Sequence, residues 1–176
     1  MAGAGILEGK KIIIVDDEPD ILETLEELLD MCLIDKAPNF ETARIFIEKN
    51  FYDAAILDIM GVRGYELLQI TSEKNIPTLM LTAHALTPDN LVKSIKEGAQ
   101  SYVPKDRIAD IPFFIKDILE ARQKGIQKHG GWFTTLRPLF DKIFGPEWQE
   151  KDKDFWKEFD ETYDTQVSKE ELEEIL

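Results

Sequence analysis

Lys11-Ile12-Ile13-Ile14-Val15-Asp16-Asp17 is the stretch on which the reading of the whole chain turns. A run of β-branched residues ends directly in two carboxylates. Continuous apolar runs of this length, without alternation, fit strands buried on both faces, as in parallel sheets. The pattern returns in Asp53-Ala-Ala-Ile-Leu57 before Asp58, in Pro77-Thr-Leu-Met-Leu81 before Thr82-Ala83, and in Ser101-Tyr-Val-Pro104 before Lys105. Helix-sized segments separate the runs, which implies crossover connections. In open sheets of this kind ligands bind beyond the carboxyl ends of the strands. Three carboxylates, a hydroxyl and an ammonium should therefore converge on one crevice, a set suited to a divalent cation and a phosphoryl group.

Working outward, Asp17-Glu18-Pro19 opens a helix whose apolar face is Ile21, Leu22, Leu25, Leu28 and Leu29, with Pro19 at home in the first turn. Leu33 to Ala37 is a weaker strand, and Pro38-Asn39-Phe40 leads into a helix with Ala43, Phe46 and Ile47 inward. A glycine-bearing loop after Asp58 reaches Tyr65-Glu66-Leu67-Leu68. Thr87-Pro88-Asp89 starts another helix, which ends at Gly98, a residue suited to a left-handed cap. Ile108 to about Lys128 is the last helix of the unit. Alternating strands and helices imply an α/β, flavodoxin-like, doubly wound sheet of five parallel strands in order 2-1-3-4-5, with a helical extension at its C-terminal side.

The strand ends, taken in order, resemble the receiver domain of two-component response regulators over roughly residues 8–128. The resemblance implies that Asp58 accepts a phosphoryl group from a histidine kinase, a phosphotransfer protein or a small phosphodonor. It implies that Asp16, Asp17, Asp58 and the backbone carbonyl of Met60 hold Mg²⁺, with Asp16 acting through water. Thr82 matches the switch hydroxyl, Lys105 the phosphate-binding lysine and Tyr102 the switch aromatic, whose ring turns inward on phosphorylation. Output through an unknown downstream protein or a second copy of the chain follows, with no separate catalytic activity. Taken alone, Asp16-Asp17 before Pro19 would read as a helix N-cap, and Lys105 as a solvated lysine. Only the joint pattern carries the assignment.

Two positions depart from the family. Asp58-Ile-Met-Gly-Val-Arg-Gly64 lacks the usual proline and is about two residues short, with Gly61 available for the tight turn. Asp106 stands where a proline usually follows the lysine. Two further readings keep the same residues: a degenerate receiver that binds partners without taking phosphate, and a haloacid-dehalogenase-like phosphatase. The latter usually places a second Asp two residues after the nucleophile, where this chain has Met60. A flavin site is disfavoured, because no Ser/Thr-rich phosphate loop follows the first strand.

The chain has 176 residues and a net charge of −14, which disfavours nucleic acid as a partner. No apolar stretch approaches the roughly 18 residues of a membrane span, and no signal-peptide core is visible, so the cytoplasm is expected. Cys32 reads as a small packed hydrophobe, Asp53 as a strand-entry residue, His84 as either a residue shaping access to the phosphoryl site or an exposed loop histidine, and His129 as a residue without metal partners. Residues 129–176 form the extension. From residue 130 onward it holds 6 basic and 13 acidic residues and all three tryptophans. Trp132, Phe133, Leu136, Phe140, Ile143 and Phe144 keep helical spacing across Pro138, and Gly145-Pro146 ends that helix. Trp148, Phe155, Trp156, Phe159 and Tyr163 suggest a second helix. Ser168 to Glu171 is a capping box, with Val167 and Leu172 as its staple, opening a last helix through Leu176. Such a stripe packs either on its own receiver or on a partner; the sequence leaves both open.

Overall fold

The computed structural model describes residues 5–126, 128 and 130–163. The capping box at Ser168, its staple and His129 lie outside them. Five parallel strands, β1 (Lys11–Val15), β2 (Leu33–Ala37), β3 (Ala54–Leu57), β4 (Thr78–Thr82) and β5 (Ser101–Pro104), form one sheet in the order β2-β1-β3-β4-β5. The helices α1 (Pro19–Leu28), α2 (Phe40–Lys49), α3 (Gly64–Glu73), α4 (Pro88–Lys96) and α5 (Ile111–Gln123) alternate with the strands and cover both faces. The register β1–β3 sets Val15 beside Leu57, so Asp16 and Asp58 leave the sheet side by side. The register β4–β5 sets Thr82 beside Pro104 and puts Lys105 at the same end.

Local chemistry explains most element boundaries. Pro19 occupies the first turn of α1, where its missing N–H costs nothing. Asn39 and Thr87 cap α2 and α4 by accepting the amides of Thr42 and Asn90. Asp53 accepts the Lys11 amide at 2.8 Å, tying the starts of β3 and β1 together. Leu22, Leu25 and Leu29 are buried as their spacing predicts, while Phe46 is only half-buried. Cys32 is half-buried, its thiol bonded to the Leu7 carbonyl at 3.3 Å and pushed up to about 11, chiefly by burial. One helix differs from expectation at both ends. Lys105–Asp110 is a 3-10 segment, and α5 begins only at Ile111 and ends at Gln123. Arg107 leaves helical geometry there, with its guanidinium held by Asp110 at 2.9 Å.

The extension supplies α6 (Gly131–Phe144) and α7 (Lys153–Thr162). Pro138 lies inside α6, which runs through it as one helix. Phe133 stacks on Trp156 with ring centroids 4.9 Å apart, and Trp148 meets Trp156 edge-on at 5.2 Å. The Trp148 indole donates to Asp141 at 2.8 Å, which satisfies its one polar atom. Ile143, placed on the apolar stripe by its spacing, faces outward instead at 44% exposure. The aromatic cluster is continuous with the receiver core. Helix α6 lies against β5 and α5, with Phe140 beside Tyr102. Helix α7 reaches α4 through Lys96 over the Phe155 ring at 5.5 Å, and just before α7 Lys151 pairs with Asp89 at 3.0 Å. Of the two alternatives for the stripe, the described helices pack on their own receiver. No helix among the described residues is long and apolar enough to cross a membrane.

Candidate phosphoryl site

The carboxyl end of the sheet gathers the polar residues picked out by the apolar runs. Asp16 and Asp58 are buried at 2% and 4% exposure, while Asp17 stands exposed beside them. Lys105 reaches over both: its ammonium lies 2.9 Å from Asp16 Oδ2 and 3.4 Å from Asp58 Oδ2. It also lies 3.0 Å from Glu18 Oε1. Asp16 Oδ2 is ion-paired with Lys105 but has no aligned hydrogen bond. Asp16 Oδ1 accepts the Glu18 amide at 2.9 Å, and Asp58 Oδ1 accepts the Ile59 amide at 2.9 Å. Each buried carboxylate is thus pinned by one oxygen and offers the other to the crevice.

Burial raises the Asp58 carboxyl to about 6; the neighbouring Asp16 charge adds to the rise, and Lys105 opposes it. Asp16 is raised as well, by burial first, against the pull of Lys105. Burial disfavours charge on Lys105, but Asp16, Glu18 and Asp58 outweigh it and hold the ammonium well above its usual range. The crevice is therefore a strongly coupled set of acids around a single cation.

The shortened loop after β3 makes its turn with two glycines. Gly61 has φ +84°, and a Cβ there would come within 2.8 Å of the Asp17 carboxyl carbon. A Cβ on Gly64 would come within 2.7 Å of the Ile59 Cα, backbone that cannot step aside. Arg63, left-handed at φ 55°, stacks over Phe40 at 4.0 Å and pairs with Glu66. Gly61 thus takes the turn, as expected, and Met60 is 53% exposed at the crevice. No proline follows Lys105, yet its ammonium reaches both buried acids.

The acidic group fits a hard divalent cation. Carboxylate oxygens of Asp16, Asp17 and Glu18 can lie within 4.8 Å of one another, and the glycine at position 61 leaves room against Asp17. Thr82 and Tyr102 meet on the next loop. Thr82 Oγ1 accepts the Ala85 amide at 3.1 Å, and the Tyr102 hydroxyl donates to the Ala85 carbonyl at 2.6 Å. Tyr102 is fully buried, with its ring turned inward. Exposed His84 lies two residues from Thr82, with no role evident. Glu18 is the site residue that sequence reasoning missed; its signal was an acid directly after Asp16-Asp17.

Comparisons with known proteins agree with the sheet order and the fold. Residues 12–111 match the response regulator receiver domain family. The two-component response regulator ARR18 of Arabidopsis thaliana is 28% identical over 152 residues, covering 83% of this chain but 23% of that protein. The chain spans about half the length of other curated relatives that it matches. A receiver domain protein of Methanospirillum hungatei superposes with a TM-score of 0.62 at 27% identity, covering 67% of this chain and 99% of that one. TrrA of Thermotoga maritima, solved in complex with Mg²⁺ and BeF, is 34% identical with a TM-score of 0.54, covering 62% of this chain and 98% of that one. With this sheet order, this crevice and a family match across more than half its length, the chain belongs to the response regulator receiver domains of two-component systems.

Proposed function

We propose that Asp58 accepts a phosphoryl group, so that residues 8–128 act as a phosphorylated receiver and residues 129–176 as its extension. The observation that carries this is the Lys105 ammonium, held between Asp16 and Asp58 at the ends of β1 and β3. An Asp58 oxygen bonds to phosphorus while the donor's bond to phosphorus breaks, its electron pair leaving with the donor. Lys105 then exchanges carboxylate contacts for phosphoryl oxygens, and Thr82 turns its hydroxyl proton toward them. Asp16, Asp17, Asp58 and the Met60 carbonyl are the residues to hold Mg²⁺. Bound there, the ion would offset the charge of the carboxylates and of the transferred group. Glu18 keeps Lys105 charged and near the crevice while the site waits.

The donor is a sensor histidine kinase, a phosphotransfer protein or a small acyl phosphate. The output is a contact with a downstream protein or a second copy of the chain, in the cytoplasm, without nucleic acid, membrane or a separate enzymatic step. The strong negative charge and the TrrA complex support this reading. A phosphatase is the weaker alternative, because Met60 stands where a second acid would be needed. A receiver that never takes phosphate is the other alternative, and the intact Asp58, Thr82 and Lys105 argue against it. One measurement separates these. Incubation with Mg²⁺ and acetyl phosphate should add one acid-labile phosphoryl mass to the intact protein, and Asp58→Asn should abolish it. No added mass on the wild type, or an equal mass on the variant, refutes the assignment.

A further inference from the structure

The junction between β4 and α4 is gripped from two sides at one residue. Thr82 holds the Ala85 amide at 3.1 Å, and Tyr102 holds the Ala85 carbonyl at 2.6 Å while accepting the Thr87 amide at 3.3 Å. Any shift of Thr82 toward Asp58 must therefore be accommodated where Tyr102 is anchored. The Tyr102 ring has one aromatic neighbour among the described residues, Phe140 of α6, with centroids 6.2 Å apart. Phe140 is itself fully buried, stacked on Phe144 at 5.6 Å and packed against Phe133 and Trp148, both at 6.2 Å. Near the start of α4 Lys151 meets Asp89 in an exposed ion pair, and near its end Lys96 lies over the Phe155 ring. The extension thus touches the switch tyrosine directly and spans the helix that follows the switch loop.

We propose that Phe140 is a positioning residue for the phosphoryl site, acting through Tyr102. The docked α6 backs the ring in its inward position and so steadies the Ala85–Thr87 junction. Docking of the extension and occupancy of Asp58 then favour the same arrangement of that junction. Such coupling is reciprocal: whatever the tail contributes to the site, an occupied site returns to the tail. This rests on the reading that Asp58 takes a phosphoryl group and that Thr82 responds to it. It adds contacts made by the chain's own extension to the groups that set the position of the ring.

The test uses the full chain, with beryllofluoride and Mg²⁺ as the phosphoryl mimic. Phe140→Ala should weaken the apparent affinity for beryllofluoride by about fivefold or more, the lower range of allosteric couplings. Phe140→Leu, which keeps an apolar side chain over the ring, should recover most of that loss. Hydrogen exchange at the Ala85 and Thr87 amides should quicken in Phe140→Ala even without the mimic. A role confined to stability would leave the affinity of the folded fraction unchanged. If Phe140→Ala fails to fold, the wild type decides alone, because beryllofluoride should slow exchange across Leu136–Phe144. Tight wild-type binding with no slowing there, or with equal affinity in a folded Phe140→Ala, overturns the coupling and leaves the Asp58 assignment standing. A wild type that never takes beryllofluoride overturns that assignment and the coupling with it.

Discussion

The crevice at the strand ends and the aromatic seam under α6 are built on opposite principles. In the crevice three acids and one lysine crowd together against their own solvation preferences, and burial lifts Asp58 to about 6. In the seam, rings of Phe133, Trp148, Trp156 and Phe159 pack at centroid distances between 4.9 and 6.3 Å with few polar atoms to satisfy. The first region is costly and open at the strand ends; the second is stabilising and closed. They meet at Tyr102, whose hydroxyl faces the loop between β4 and α4 and whose ring faces the extension. The contrast separates what selects a ligand from what supplies the rigidity to hold it.

The sharpest break of that contrast is Phe133→Ala. Phe133 touches both α7 and Phe140, and truncating a buried phenylalanine costs about 3–5 kcal/mol. Because the seam is continuous with the receiver core, urea unfolding should move as one transition. A separate early transition for the tryptophans would show that the extension is an independent unit. On the crevice side, Gly64→Ala should destabilise by about 2–3 kcal/mol, since its Cβ meets backbone. A fully stable Gly64→Ala protein would mean that the loop after β3 can be re-formed at little cost.

Next in size is a pH effect confined to the crevice. Asp58 titrates in the metal-free folded protein near 6, above its ordinary value of 3.8. The stability it contributes is fully present below about 4 and is lost as pH rises through about 6. In chelator, Asp58→Asn should therefore gain on the wild type by about 1–3 kcal/mol between pH 4 and pH 8. Chemical denaturation at both pH values measures this, and a pH-independent difference would refute a raised Asp58. Mg²⁺ should flatten the wild-type slope. The smallest effect is expected from Asp89→Asn, which removes the exposed ion pair with Lys151 and should leave stability unchanged by the same assay. A clear loss there would assign the seam's docking to charge instead of aromatic burial.

The crevice was legible in the sequence because its chemistry sits at fixed places on apolar runs. Val15, Leu57, Leu81 and Pro104 each hand the chain to a polar residue, and a parallel sheet brings such ends together whatever the connections do. Other features depended on distances that no run encodes. Glu18 reaches Lys105 across 87 positions of chain, and its place directly after Asp16-Asp17 marks an acid at the site without naming that partner. The end of the last receiver helix was read too far, since Arg122, Gln123 and Lys124 suit a helix and a turn alike. The stripe from Trp132 to Tyr163 announced a buried face without saying what lay beneath it. Tyr102 settles the matter as a ring that needed a cover, and Phe140 provides it.

The two margins of the sheet carry one more consequence. All four residues of β5 are buried, with α6 lying against the strand, while β2 at the other margin is exposed or half-exposed at every position but Ala37. A bare strand margin is a template for pairing with another chain. Here the guard at β2 is electrostatic: Lys36 pairs with Glu26 at 2.9 Å, and Asp35 is held by the Tyr52 hydroxyl at 2.6 Å. Apolar substitution of Lys36 should therefore invite strand-to-strand pairing at β2, where the same change near β5 should not.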